Sequence, residues 1–196
     1  MLIRRAARDD IPAVVETITE AFQLDPVWGW AFPDAVARPA QYRQWWSLFI
    51  ASAMRYDWTW LADEGAAVAV WIPPGGSELT DEEDAAVEPL LRSLVGSWTD
   101  TVLEGLHGFD TAHPGEEPHY YLSLLGTRDD RRGRGIGMAL LNECLAVIDA
   151  EHAPAYLESS NPLNNRRYEG AGFGSIGTFA MPGGGPVVTR MWRAAR

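Results

Sequence analysis

The spacing of apolar residues changes along the first part of the chain, and each spacing predicts a different element. Residues 2–5 are typical of a short strand. Behind Asp10 and Pro12, which suit the start of a helix, apolar residues recur at helical spacing as far as Phe22. A further helix is predicted from Pro39 to Met54, inside a segment that is rich in aromatic residues. The chain is therefore predicted to begin as a strand followed by helices.

Two strands are predicted next, at residues 58–62 and 66–72, with a tight turn between them. After them, Thr80 and Glu83 have the spacing of a capping box, in which Thr80 caps a helix and Glu83 reaches back. The acidic residues from 78 to 88 could attract a cationic substrate. The favoured interpretation is a solvated first turn of that helix.

The second half of the chain is predicted to run strand, helix, strand, helix, strand, strand, after a polar loop from Asp110 to Pro118. The elements are, in that order, residues 119–127, 135–151, 155–159, 163–170, 173–180 and 187–192. The last two strands are predicted to form a hairpin. The whole pattern predicts an α/β protein with a mixed sheet, in a single domain that covers residues 1–196.

The charge balance excludes several kinds of partner. Acidic residues number 27 against 16 basic ones, which gives a formal net charge of -11. Such a field repels nucleic acid and anionic membranes and attracts cationic small molecules. The longest apolar run is too short to span a bilayer, and the first residues are charged where a secretory signal would be apolar. We therefore expect a cytoplasmic protein, monomer or homodimer, whose partner is a small molecule.

The basic residues are concentrated in one place. All 16 are arginine, and Arg128, Arg131, Arg132 and Arg134 lie close together where a predicted strand gives way to a helix near Gly135. Glycines in such a turn let the backbone approach a ligand, and several N–H groups at the helix start can point at one anion. Three arginines at a helix N-terminus oppose the helix dipole. The segment therefore predicts an anion site.

The glycine spacing narrows the choice of anion. A dinucleotide fingerprint needs a third glycine where this chain has Met138 or Leu140, and a P-loop needs a lysine, which the chain lacks. Only Glu158, at the position of a ribose-binding acid, supports a nucleotide-dependent oxidoreductase. That hypothesis remains a distant alternative.

Two motifs fit another anion. Arg132, Gly135 and Gly137 have the spacing Arg-x-x-Gly-x-Gly, and Asn164 precedes Tyr168 on a later predicted helix. In this order and at this separation, the motifs resemble the acyl-CoA and helix signatures of the GNAT superfamily of N-acetyltransferases. The resemblance implies that superfamily's fold, a mostly antiparallel sheet with a splay between two central parallel strands, flanked by helices. It also implies acetyl-CoA as co-substrate and direct transfer of acetyl to a primary amine.

The resemblance implies roles for single residues. A strand end is implied to contact the pantetheine arm and the following turn the pyrophosphate, so the implied cofactor residues are Leu125, Gly126, Thr127, Arg132, Gly133, Arg134, Gly135, Ile136, Gly137, Met138, Asn164 and Tyr168. Tyr168 is also the implied general acid, with helix packing as its alternative. Asn164 could instead serve only the start of its helix. The base is left open among His119, Glu158 and a chain of waters.

Further segments resemble the puromycin N-acetyltransferase branch of the superfamily, which acts in antibiotic resistance. They are residues 61–71, 155–162 and 188–190. Arg166 and Arg167 depart from that branch, which often has Pro and Phe at these positions.

The acceptor pocket is implied to be built by the N-terminal helices. Asp25, Trp28 and Trp30 are therefore the implied substrate residues, and flat rings beside an acid suit an aromatic or aminonucleoside-like cationic amine. The alternatives are another amine or peptide acceptor, or a non-catalytic module that binds acyl-CoA.

Other chemistries lack the residues they need. The four histidines do not have metal-ligand spacing, so no metal is expected. No Gly-x-Ser-x-Gly elbow supplies a nucleophile. Cys144 lies between Leu141 and Leu145 on a predicted helix and is expected in the core.

Overall fold

The computed structural model describes residues 1–115 and 117–196. Its strands are β1 (Ile3–Arg5), β2 (Thr59–Ala62), β3 (Ala67–Ile72), β4 (Tyr120–Thr127), β5 (Ala155–Ser159), β6 (Gly174–Ala180) and β7 (Val187–Arg193). Its helices are α1 (Ile11–Ala21), α2 (Pro26–Ala31), α3 (Arg38–Ala53), α4 (Asp81–Asp84), α5 (Val87–Val95), α6 (Thr99–Ala112), α7 (Ile136–Ala150) and α8 (Asn165–Gly170). The strands form one sheet in the order β1-β2-β3-β4-β5-β7-β6.

The pairing of β4 with β5 is parallel, and the other neighbouring strands pair antiparallel. Register pairs join Tyr120 to Ala155 and Tyr121 to Tyr156, and among the described residues no further pair follows. Because β4 continues to Thr127 and β5 to Ser159, the two strands separate toward their C-terminal ends. The predicted mixed sheet with a splay between two parallel strands is confirmed.

Helices cover both faces of the sheet. All six residues of β3 are buried, as expected of a central strand that packs on two sides. One face packs against α1 and α3, and the other against α7. Cys144 of α7 is fully buried in that second layer, as predicted, and burial raises the pKa of its thiol to about 12.

The aromatic-rich segment forms much of the first layer. Trp45 and Trp46 on α3 are buried, and their rings contact those of Trp28 and Phe22. The interpretation of this cluster as mainly core is therefore confirmed. The cluster also packs α2 against α3 and so holds α2 beside the sheet. One face of α2 is turned toward the splay between β4 and β5.

The strands and helices with predicted bounds begin and end within two residues of them, whereas α2, α5 and α6 had no predicted bounds. The predicted loop from Asp110 is wrong at its start, because α6 continues to Ala112. Asp110 and Thr111 are exposed on its last turn, so they break the apolar spacing without ending the helix.

Candidate active site

A cleft of about 1280 Å³ opens where β4 and β5 separate. The N-terminus of α7 and helix α8 form one end of the cleft. The loop that precedes α4, the end of α6 and part of α2 form the other. The cleft therefore joins the predicted anion site to the aromatic helices.

The start of α7 is built to face a ligand with backbone N–H groups. Gly135, the residue before the helix, has a φ of 75°, a left-handed conformation that favours glycine, and no side chain caps the helix start. The first N–H groups of a helix have no partner within it. Those of Ile136, Gly137 and Met138 belong to residues that line the cleft. This arrangement fits a phosphate group.

Gly137 is needed for a close approach. A Cβ at this position would lie 2.4 Å from the hydroxyl oxygen of Thr127, at the end of β4. Only glycine therefore allows the first turn of α7 to sit against the end of the strand. The turn that joins β4 to α7 remains accessible to a ligand that contacts both elements.

The charges of these arginines are paired with aspartates to a greater extent than the sequence suggested. Arg132 lies 3.0 Å from Asp129, and Arg128 and Arg131 each contact Asp130. Arg132 also donates a hydrogen bond of 2.7 Å to the carbonyl of Ala21, at the end of α1. These contacts offset part of the charge of the three arginines, so the arginines by themselves no longer require an anion. The backbone N–H groups, rather than unpaired arginines, are the main argument for the anion site.

Most of the implied cofactor residues come together. Those that line the cleft are Leu125, Gly126, Thr127, Arg132, Gly133, Gly135, Ile136, Gly137, Met138, Asn164 and Tyr168. Arg134 is exposed and is not among the lining residues, whereas Arg131, which the motif did not single out, is.

The two residues of the second motif lie at the same end of the cleft as the start of α7, and Tyr168 packs against the layer that α7 forms. The ring of Tyr168 packs 6.2 Å from that of Phe173, and burial raises the pKa of its hydroxyl to about 12. Tyr168 thus both packs in the layer and lines the cleft. Asn164 makes no side-chain cap for α8, and its amide oxygen accepts a hydrogen bond from Arg167.

Glu158 lies at the floor of the cleft, at the end opposite the start of α7. Its side chain is 2% exposed, and neither carboxylate oxygen has a hydrogen-bond partner among the described residues. The nearest basic group is Nδ1 of His113, 3.6 Å from Oε1. Burial and the charge of Glu158 raise the pKa of the hydroxyls of Tyr121 and Tyr156, which face the carboxylate as neutral donors. A buried carboxylate without a positive partner at hydrogen-bond distance is costly, so this position favours a cationic group.

Glu78 is the residue that the sequence placed wrongly. Thr80 and Glu83 do form the predicted capping box, but Glu78 just before it turns into the cleft instead of facing solvent. It accepts a hydrogen bond from Ser123, which lies in β4 where the register with β3 shifts between Leu122 and Leu124. Burial, together with the charge of Glu158, raises the pKa of Glu78 to about 7.

His119 is buried and lies directly before β4. Its Nδ1–H donates to the carbonyl of Glu117 at 2.6 Å, and its Nε2 lies 3.1 Å from Nε2 of His113. Burial lowers the pKa of His119, and the neighbouring His113 contributes. The sequence offered no reason to single out His113, since it follows α6 at a distance from every motif.

The implied acceptor residues separate into different environments. Asp25 lines the cleft but is occupied: it caps α2 by accepting from the N–H groups of Val27 and Trp28, and Ser160 donates to it at 2.6 Å. Burial raises the pKa of Asp25. Trp28 lines the cleft and stacks on Phe109.

Trp30 does not line the cleft. Its ring packs against Trp98, and its backbone carbonyl accepts a hydrogen bond from the Trp98 indole. Residues two apart on a helix point to different sides, which explains why the side chains of Trp28 and Trp30 lie in different environments.

The sequence profile of the acetyltransferase (GNAT) family matches residues 42–173. This chain belongs to the GNAT family. The predicted enzyme class, an N-acetyltransferase, is thereby confirmed. The GNAT fold binds acetyl-CoA.

Solved structures share this fold over nearly the whole chain. The histone acetyltransferase and related acetyltransferase from Corynebacterium glutamicum is 24% identical with a TM-score of 0.71, covering 99% of this chain and 96% of that one. Arylalkylamine N-acetyltransferase 2 from Aedes aegypti is 10% identical with a TM-score of 0.67, covering 100% and 99%. Polyamine N-acetyltransferase from Drosophila melanogaster is 15% identical with a TM-score of 0.64, covering 98% and 99%.

Two further properties of the described residues concern membrane-spanning helices and metal sites. None of the described helices combines the length and apolar character that crossing a membrane requires. Within residues 1–115 and 117–196, no cluster of three or more metal-binding side chains is found.

Replacing Gly135 with Asp should weaken acetyl-CoA binding at least about tenfold, or about 1.4 kcal/mol. The new carboxylate would stand beside N–H groups that face the anion. Isothermal calorimetry measures the effect. Gly183→Asp is the matched control, because Gly183 also has a positive φ and open space around it but does not line the cleft. Equal affinity of the Gly135 variant and the wild type would contradict the assigned anion site.

Proposed function

We propose that this GNAT enzyme transfers acetyl from acetyl-CoA directly to the primary amine of a small cationic molecule with an aromatic or aminonucleoside-like body. The observation that carries the proposal is the polarity of the cleft. One end offers backbone N–H groups to an anion, and the other holds the buried carboxylate of Glu158, which among the described residues has no basic group closer than His113 at 3.6 Å. A single cleft of this kind suits an anionic co-substrate and a cationic acceptor.

The cofactor end would be held mainly by backbone. The N–H groups of Ile136, Gly137 and Met138 would bind the pyrophosphate, with Arg131 at the rim. Beyond Tyr121, the edge of β4 that faces β5 no longer pairs with it, so its backbone groups are free for the pantetheine amides. When bound, acetyl-CoA supplies the acetyl group and a thiol leaving group.

Tyr168 is proposed as the proton donor to that leaving group. Its hydroxyl keeps its proton throughout the neutral range, because burial and the charge of Asp25 raise its pKa to about 12. The ring is fixed by Phe173, which sets the direction of the hydroxyl. A positioned acid of this kind typically contributes a factor of about 100 or more to a rate.

The acceptor wall combines rings with carboxyls. Trp28, Phe109 and Tyr121 line the cleft beside Glu78 and Glu158. Rings of this kind suit a flat apolar body, and carboxylates suit its ammonium group. The arylalkylamine acceptor named for the Aedes aegypti enzyme combines the same two features. The resemblance to the puromycin N-acetyltransferase branch supports an aminonucleoside in particular.

A polyamine is the second candidate acceptor. Asp81, Asp84 and Asp110 also line the cleft, so a chain with several positive charges would find further carboxylates along it. The Drosophila melanogaster neighbour is a polyamine N-acetyltransferase that forms N-acetylagmatine.

Acceptor-dependent release of the CoA thiol from acetyl-CoA tests the proposal. Puromycin and phenethylamine should give release above an acceptor-free control, and agmatine should give less, because it has no ring for Trp28 and Phe109 to contact. Release with agmatine alone would favour the polyamine. Absence of release with every amine would contradict amine acetylation.

Replacing Tyr168 with Phe should lower kcat about 100-fold and leave the affinity for acetyl-CoA within about threefold of wild type. Steady-state kinetics and calorimetry measure the two effects. Tyr120→Phe serves as the control, because its hydroxyl donates to Glu151 outside the cleft. An unchanged kcat in the Tyr168 variant would remove the assigned acid.

Acceptor binding should strengthen with pH through the ionisation of Glu78. Its pKa of about 7 means that the carboxyl is neutral below that value and charged above it. Affinity for an ammonium acceptor should therefore rise from about pH 6 to about pH 8, and Glu78→Gln should reduce that rise. Calorimetry without acetyl-CoA measures it. Glu88→Gln, on an exposed face of α5, should behave as wild type; an unchanged rise in the Glu78 variant would exclude Glu78 from acceptor binding.

A further inference from the structure

The hydrogen bonds of two histidines determine which nitrogen of His113 is free. A carbonyl oxygen can only accept, so Nδ1 of His119, 2.6 Å from the carbonyl of Glu117, carries a hydrogen. Burial favours the neutral form of His119, whose Nε2 therefore has a lone pair.

The lone pair on Nε2 of His119 determines which nitrogen of His113 carries a hydrogen. Nε2 of His113 lies 3.1 Å from Nε2 of His119, and one of the two nitrogens must donate. Because His119 accepts, His113 donates from Nε2. In a neutral His113, Nδ1 is then left with its lone pair.

Nδ1 of His113 faces a second acceptor. It lies 3.6 Å from Oε1 of Glu158, which is longer than a hydrogen bond, and both oxygens of Glu158 lack a partner among the described residues. The hydroxyls of Tyr121 and Tyr156 also face the carboxylate and can donate to it. A cationic donor common to both is still needed to bridge the carboxylate and Nδ1 of His113. A primary ammonium has three N–H groups and meets that need.

We propose that His113 is the general base of the acetyl-transfer site and that its Nδ1 binds the acceptor's ammonium together with the Glu158 carboxylate. This inference rests on the proposed function. One N–H bond of the ammonium breaks, its electron pair stays on the amine nitrogen, and the proton forms a new N–H bond at Nδ1 of His113. The products of the step are a neutral amine and an imidazolium beside Glu158.

The surroundings suit this role. The imidazolium is stabilised by the carboxylate 3.6 Å away, and the neutral amine is left free to attack. The side chain of His113 is 34% exposed whereas that of Glu158 is 2% exposed, so His113 is the member that can return the proton to solvent. His119 positions the ring through its Nε2 and is a positioning residue.

Other titratable groups also face His113. They are Glu158 and Tyr156 on β5, His119 just before β4, Tyr121 on β4, Asp110 on α6 and Glu78 on the loop before α4. Variants of His113 itself are therefore needed to separate its role from theirs.

Proton–nitrogen correlation spectra of the histidine-labelled protein, without acetyl-CoA, test the arrangement first. Neutral His113 should carry its hydrogen on Nε2, and added phenethylamine should shift the signal of Nδ1. A hydrogen on Nδ1 of neutral His113 with a bare Nε2, or an Nδ1 signal that the amine does not move, would overturn the proposal. His107, exposed on α6, is the internal control and should not respond.

Kinetics test the chemical role. His113→Gln should lower kcat/KM about 100-fold near neutral pH, and the deficit should shrink at higher pH, where more of the acceptor is already neutral. His107→Gln should match the wild type. A deficit that stays constant with pH would indicate a structural role and would overturn the base assignment alone. Wild-type protein that acetylates no amine would overturn the proposed function and the base together.

Discussion

The separation of β4 from β5 is the constraint on which the rest of the structure depends. Two parallel strands that paired along their whole length would close the middle of the sheet and hide their backbone groups. Here the pairing stops after Tyr121 and Tyr156, and the cleft opens at that point. The register of β4 with β3 shifts at Ser123, just beyond that point. Both ends of the cleft are therefore consequences of one interruption in a hydrogen-bond ladder.

The two ends are built by different physical means. At the cofactor end, glycines allow backbone groups to do the binding, so the chemistry depends on the path of the chain rather than on particular side chains. At the acceptor end, side chains from β5, α6 and the loop before α4 meet on a floor that excludes water from Glu158. Arg132 connects the ends, because it holds the cofactor turn to the last residue of α1, from which the chain continues toward the acceptor wall.

Patterns within a few residues of the sequence correctly predicted the elements that depend on interactions between near neighbours in the chain. The strand, turn and helix around Gly135 could be predicted because glycine spacing and helix starts are encoded within a few residues. Buried strands such as β3 could be predicted for the same reason. Glu78 could not, because a capping box next to it supplied a sufficient local explanation for an acidic run. His113 could not either, since its partners Glu158 and His119 meet it only through tertiary packing. Trp30 was assigned to the pocket by the family resemblance, whereas the turn of α2 decides where its side chain points.

The buried position of Cys144 has a practical consequence for work on this enzyme. It is the only cysteine in the chain, it is fully buried beneath the sheet, and its raised pKa leaves almost no thiolate at neutral pH. Thiol-reactive dyes should therefore leave the folded protein unlabelled. Colour that develops in a turnover assay will report released CoA without a background from the enzyme, and slow labelling of Cys144 will report unfolding.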